Sequence, residues 1–320
     1  MQSKRIYAIS IFLLAILLTG CLGPSRGYKP PSGGSAGIAG TVYFGLEGGL
    51  LAYNATVKID GNEYITNEKG KFSATNTLTG KRTVEVITPV NTLGPVSMNI
   101  NQNSVLNLVV PWPSEFHITA FEEFACLRGC IGTGGGISAG TVRWEHGKTI
   151  RYYIDTTTSK RDGKDVIPSS NHVEKINTAL RYWIEYSGLK EMGILDYERV
   201  YDKDEADLIF EWGDVGDGKG DDAYYELFKY EGDVSSGIIR KVRVRINNLS
   251  DIMDAVMPYY QATAFALGGW YVKSYNNSIF FVPNSYIEGE FKDRLSRTPY
   301  AIDRNFILAL YSLAPGTIAR

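Results

Sequence analysis

The sequence predicts a multidomain protein, with an N-terminal all-β sandwich followed by a larger α/β domain. Three observations lead there. From Ile38 to Trp112 apolar residues recur at every second position, and turn residues interrupt them at short intervals. From Val142 onward, strand-like runs alternate with stretches whose apolar residues recur at helical spacing. A chain of 320 residues is also long enough for about two domains. Hydrophobic residues make up 44% and charged residues 21%, so the apolar surface for packed cores is present. Net charge is -2 with Lys and Arg scattered, which lacks the basic patch of a nucleic-acid binder and excludes that partner.

Residues 1–20 read as an address. Lys4 and Arg5 precede an apolar run from Ile6 to Leu18, too short to cross a bilayer comfortably but suited to the core of a signal peptide. Leu18-Thr19-Gly20-Cys21 then resembles a bacterial lipobox, in which the cysteine takes a diacylglycerol. The resemblance implies a mature protein that begins at Cys21 and is lipid-anchored to a membrane on the extracytoplasmic side of the cell envelope. An ordinary secretory signal with a chance cysteine is the alternative. Acyl chains contribute about 0.8 kcal/mol per buried methylene, so several on one residue anchor firmly. Residues 21–36, rich in Gly, Pro and Ser, bury too little apolar surface to fold and read as a flexible tether.

Within residues 37–112, Val57 and Ile59 alternate with Lys58 and Asp60, and Asp60-Gly61 is a hairpin signal. Glu68 to Phe72 marks a second turn, and Thr83 to Ile87 and Val105 to Val110 are further short strands, together a small sandwich. The stretches GIAGTVYF, AYNATVKIDGNEYITNEKGKFSA and GKRTVEVI resemble the carboxypeptidase regulatory-like domain, a transthyretin-like sandwich of extracytoplasmic proteins. That resemblance implies a spacer or weak binding module rather than a catalyst. Residues 113–141 read as a connector, because the GTGGG at 132–136 supplies no side chains to pack. Cys126 and Cys130 lie inside it. No further ligands stand near enough for a metal, and an oxidising compartment favours a local disulfide, with two reduced thiols as the alternative.

In residues 142–320, Thr149 to Asp155, Ala206 to Asp214 and Lys241 to Asn247 read as strands. Val173, Ile176, Leu180, Trp183, Ile184 and Ser187 share one helical face. Ser250 is a candidate cap for the next helix and Gly268-Gly269 its stop, with Pro258 either starting or kinking it. Asp303 to Leu313 is the closing helix. The parts VRWEHGKTIRYYID, INTALRYW, ADLIFEWGD, FALG, SIFFVP and DRNFILALY, in that order, resemble the matrixin branch of the metzincin zinc proteases. That family carries H-E-x-x-H-x-x-G-x-x-H followed by a turn containing methionine.

Here Gln261 stands at the first histidine, Ala262 at the glutamate, Phe265 at the second histidine, Gly268 at the glycine, Tyr271 at the third histidine and Phe280 at the turn methionine. Positions 261 and 265 share a helix face, which is why two imidazoles there could grip one ion. A catalytic zinc takes about three protein donors and one water. Gln261 offers a neutral amide oxygen, Phe265 no lone pair, and Tyr271 a phenol with a pKa of about 10. No zinc site is expected, and Ala262 leaves no general base for water.

His117, His146 and His172 are expected on separate elements. Asp214, Asp217, Asp221 and Asp222, spaced by glycines, suit the oxygen demand of calcium, although acidic Gly-rich loops are usually solvated turns. Adjacent carboxylates such as Glu122-Glu123 read as surface. Of 21 tyrosines, Tyr259, Tyr260, Tyr271 and Tyr275 gather with Trp270 around the former zinc helix, either divided between core and surface or as a groove holding a peptide or glycan. The expectation is a pseudoprotease that binds a polypeptide or envelope partner. The alternatives are an active extracytoplasmic hydrolase or metallopeptidase with a non-standard site, and a carbohydrate-binding lipoprotein working through the sandwich.

Overall fold

The structure, a computed structural model, describes residues 37–75, 79–101, 103–127, 140–215, 225–231, 236–281 and 295–318. All of them belong to one compact unit, Ser35–Arg320. The molecule is mixed α/β with several sheets. Cys21, Cys130, Asp217, Asp221 and Asp222 lie outside the described residues.

Two four-stranded sheets build the N-terminal part. In the first, β1 (Ile38–Phe44) pairs antiparallel with β2 (Leu50–Leu51) and β5 (Lys71–Ala74) and parallel with β8 (Val105–Val110). In the second the order is β4 (Asn62–Ile65), β3 (Thr56–Ile59), β6 (Gly80–Ile87), β7 (Thr92–Ile100). The β3–β4 loop is the expected Asp60-Gly61, both residues left-handed at φ of 48° and 86°, so the turn matches the strand twist. Alternation then turns Val42 and Phe44, Val57 and Ile59, Val84 and Val86, and Leu106 and Leu108 into the core.

The segment expected as a bare connector is more than that. Helix α1 (Ile118–Phe124) forms in it, capped by His117, whose Nδ1 accepts the Ala120 N–H at 3.2 Å. Phe121 and Phe124 are fully buried. Rings run continuously from the sandwich into the rest of the molecule: Phe44 stacks on Trp112 at 4.7 Å, Trp112 on Phe116 at 4.4 Å, and Phe116 meets Phe306 edge-on at 5.6 Å. Aromatic side chains hold the segment against both neighbours, which glycine content alone did not indicate.

The larger part is a five-stranded sheet in the order β12 (Leu195–Arg199), β9 (Lys148–Ile154), β13 (Leu208–Gly213), β15 (Lys241–Asn247), β14 (Tyr225–Glu231). All pairings are parallel except the β14 edge, which is antiparallel to β15. A hairpin of β10 (Ser159–Arg161) and β11 (Lys164–Val166) follows β9. The helices are α2 (Ser170–Arg181), which continues as a π-turn over Tyr182–Tyr186, α3 (Ser250–Asp254), α4 (Met257–Ala266) and α5 (Ala301–Tyr311). Ser250 does not cap one long helix. Leu249 is the N-cap of α3, which stops at Asp254, and Pro258 sits in the first turn of the separate helix α4, where its missing N–H costs nothing.

No helix among the described residues is long and apolar enough to cross a membrane. Every residue of α4 is buried, so it is the central rod of this part. The Trp183 indole N–H donates to Tyr260 O at 2.8 Å, the Trp144 indole to Ala266 O at 2.9 Å, and the Tyr311 hydroxyl to Leu267 O at 2.9 Å. The last two satisfy carbonyls that the end of a helix otherwise leaves open.

Candidate functional site

The C-terminal end of α4 and the turn Ser278–Phe280 face each other. Gln261 is 1% exposed, and its side-chain N–H donates to Ile279 O while its own Oε1 has no hydrogen-bond partner. Ala262 is fully buried. Phe265 is fully buried too, with Tyr271 edge-on at 4.8 Å, Phe280 at 5.7 Å and Trp270 stacked at 5.8 Å. Behind Phe280 stand Phe124 at 4.6 Å and Trp183 at 5.7 Å. Gln261, Phe265, Tyr271 and Phe280 thus lie close together, and rings fill the space around Phe265. Gly268 has a φ of 108° and ends the helix in the left-handed region.

The candidate groove is corrected. Tyr259 is 1% exposed with its hydroxyl on Met253 O at 3.0 Å, and Tyr260 is 8% exposed, edge-on to Tyr182 and Trp183. Both are core residues, because α4 is enclosed on every side. Trp270, Tyr271 and Tyr275 are half-buried and are the aromatics that border solvent here.

The three histidines stand on separate elements. His117 caps α1 and rests on Tyr275 at 4.9 Å, and His172 Nδ1 accepts the Ser169 N–H at 3.0 Å at the start of α2. His146 sits where the sandwich meets α5, its Nε2 at 2.8 Å from Tyr311 O. Beside it the buried Arg143 guanidinium lies over Tyr53 at 5.3 Å and Tyr311 at 5.4 Å, and burial lowers its pKa to about 10. Among the described residues no three His, Cys, Asp or Glu side chains gather as a metal site. Asp214 pairs with Arg161 at 3.4 Å, and Cys126 is disulfide-bonded.

No family model matches the chain, and neither does any curated protein. Among solved structures it is similar to a chain of a type II cohesin–X-dockerin complex from Acetivibrio cellulolyticus, at 15% identity and a TM-score of 0.20, covering 23% of this chain and 56% of that one. It is also similar to a DUF3823 family protein from Bacteroides ovatus, at 12% identity and a TM-score of 0.20, covering 23% of this chain and 43% of that one. The matches span about half the length of those chains. At that TM-score neither bears on what this protein does.

Two titratable groups, Asp303 below the site and His146 at the edge of the sandwich, have surroundings that the sequence alone does not show. Asp303 is fully buried and accepts the Ser278 hydroxyl at 2.6 Å and the Tyr300 N–H at 2.8 Å, which pins the turn beneath α4. Burial raises its pKa from 3.8 to about 6, against those hydrogen bonds. Its position three residues after the N-cap Tyr300 is the only local signal. His146 moves the other way, from 6.5 to about 4, through burial first and the Arg143 charge second.

Their effects on stability oppose. Asp303 holds its proton more tightly when folded, so its contribution is complete below pH 3.8 and lost as pH rises through about 6. His146 holds its proton less tightly when folded, so its contribution is complete above pH 6.5 and lost as pH falls through about 4. Each shift corresponds to up to about 3 kcal/mol, less for His146 because its ring keeps some contact with solvent. Relative to wild type, Asp303→Asn is expected to gain stability as pH rises from 4 to 6, and His146→Phe to lose it over the same range. Urea unfolding across that window checks both signs, and two differences of the same sign would contradict the assignment.

Proposed function

We propose that residues 142–320 are a metzincin-like scaffold without zinc chemistry, in a protein that is lipid-anchored through Cys21 in the cell envelope and grips an extended polypeptide instead of cutting it. One observation carries the loss of chemistry. Phe265, at the position of the second zinc ligand, is fully buried with Tyr271, Trp270 and Phe280 around it, so the place for an ion is packed with carbon. The residues do not fit the metal the family implies: Gln261 offers only one neutral amide oxygen, its N–H being used on Ile279 O, and Phe265 has no donor atom. Ala262, at the position of the general base, has no proton acceptor.

The order of parts supports the scaffold. β9, β13 and β15 are neighbours in one sheet, and α4 comes next after β15 and the short α3. The two four-stranded sheets of residues 38–110 support a transthyretin-like sandwich. The half-buried Trp270, Tyr271 and Tyr275 favour a polypeptide ligand, since amphipathic rings at a rim bury area while keeping a polar edge in water.

Elemental analysis of the purified protein, with peptidase assays in the presence and absence of a chelator, tests the reading. The expected result is less than stoichiometric zinc and no chelator-sensitive cleavage. Stoichiometric zinc, or cleavage that a chelator abolishes, would overturn it.

A further inference from the structure

Glu123, whose neighbour Glu122 assigns it to the surface on sequence grounds, makes an unusual set of contacts. One oxygen, Oε2, accepts the Lys273 N–H at 2.7 Å, the Ser274 N–H at 2.9 Å and the Ser274 hydroxyl at 3.0 Å. Two consecutive backbone N–H groups converging on one anionic oxygen form a nest, the geometry that proteins use to hold carboxylates and phosphates. Hydrogen bonds to an ionised acceptor are roughly twice as strong as neutral ones. Three of them on a single oxygen, across 150 residues of sequence, are more than a turn in the loop needs for itself.

The nest lies in the loop between the half-buried Tyr271 and Tyr275, immediately after the aromatic site. α1 holds both the loop of the nest and the turn that follows it. At one end His117 rests on Tyr275 at 4.9 Å, and at the other Phe124 lies on Phe280 at 4.6 Å.

We propose that Lys273–Ser274 is a carboxylate-binding nest which Glu123 occupies in cis, and that its ligand from outside is a side-chain or C-terminal carboxylate of an acidic peptide, admitted when Glu123 leaves. The nest stands on its own geometry. Only the peptidic nature of the ligand rests on the function proposed above. A carboxylate built into α1 is present at an effective concentration on the order of mM or more, so a free ligand must compete with it.

The test uses the full chain with Glu123→Ala, and acetate as the first probe. The Lys273 and Ser274 amide signals of Glu123→Ala are expected to move saturably with acetate but not with chloride at equal ionic strength, and those of wild type to stay still. A hexapeptide ending in glutamate is expected to bind Glu123→Ala about tenfold more tightly than wild type. Glu123→Gln keeps the shape and removes the charge, so amide exchange at both positions is expected to quicken even if the alanine variant folds poorly. A folded Glu123→Ala whose two amides ignore acetate, equal responses in variant and wild type, or unchanged exchange in Glu123→Gln would overturn the nest. Acetate binding without peptide binding would keep the nest and remove the polypeptide ligand.

Discussion

Phe265→Ala is expected to lower the free energy of unfolding by about 3–5 kcal/mol, the range for a buried phenylalanine cut back to a methyl group. The upper half applies here because the surroundings are not free to collapse. The ring lies on a helix buried all round, and three other rings stand within 5.8 Å of its centre. One of those rings is fixed from behind. Phe280 is held by Phe124 and Trp183, and its turn is pinned from both sides, by the Gln261 side chain on Ile279 O and by Asp303 on the Ser278 hydroxyl. A void left there loses contacts that nothing moves in to replace.

Guanidinium unfolding reads the effect as a lower midpoint at unchanged slope. A loss below about 1 kcal/mol would show that the region closes over the gap, and would remove the main support for a packed ion site. Phe265→His makes the contrast. An imidazole in this apolar place is expected to stay neutral and to confer no zinc affinity, because Gln261 and Tyr271 complete no donor set.

What the sequence disclosed, and what it hid, follow from how far each cause acts along the chain. β9, β13 and β15 were legible because apolar runs of strand length are local, and so was the Asp60-Gly61 hairpin, whose two left-handed residues need only each other. The C-terminal end of α4 was legible for the same reason, a glycine past the last turn, whereas its start lay open between Ser250 and Pro258. The direction in which α4 faces was not legible. Tyr259 and Tyr260 look like groove residues until the indole donors arrive, from Trp183 at 77 residues' distance and Trp144 at 122. β12 was missed because among its five residues only Leu195 is buried, so an edge strand left no periodic mark. α1 was missed because seven residues are too few for helical spacing to stand out from a loop. Glu123 and Asp303 show the same limit for the site. Each is an ordinary carboxylate in sequence, and each acquires its role from a turn that lies 150 or 25 residues away.

Gly268→Ala is expected to cost about 4 kcal/mol or to prevent folding, through two causes that add. The backbone there is left-handed at a φ of 108°, which costs a residue with a side chain roughly 1–3 kcal/mol. A methyl group at Gly268 would also overlap the Val142 carbonyl oxygen and lie 2.9 Å from its carbon and 3.1 Å from Arg143 Cα. Forcing atoms into filled space costs roughly a further 1–3 kcal/mol when the neighbours can yield. These neighbours are backbone, and they are tethered. Arg143 N–H donates to Gly237 O at 2.9 Å, Ile239 N–H donates back to Arg143 O at 2.8 Å, and the buried guanidinium donates to Leu313 O at 3.0 Å. Moving Val142 aside therefore disturbs the contact on which Tyr53 of the sandwich, the segment Gly237–Ile239 and the end of α5 all converge. Gly61→Ala separates the two causes, since Gly61 is left-handed at 86° but has open space around it. Its expected loss is the backbone cost alone, roughly 1 kcal/mol. Equal losses in the two variants, measured by the same denaturant titration, would mean that the close approach of Val142 to α4 does not exist in solution. The placement of the aromatic site against the Val142–Arg143 segment would then be wrong.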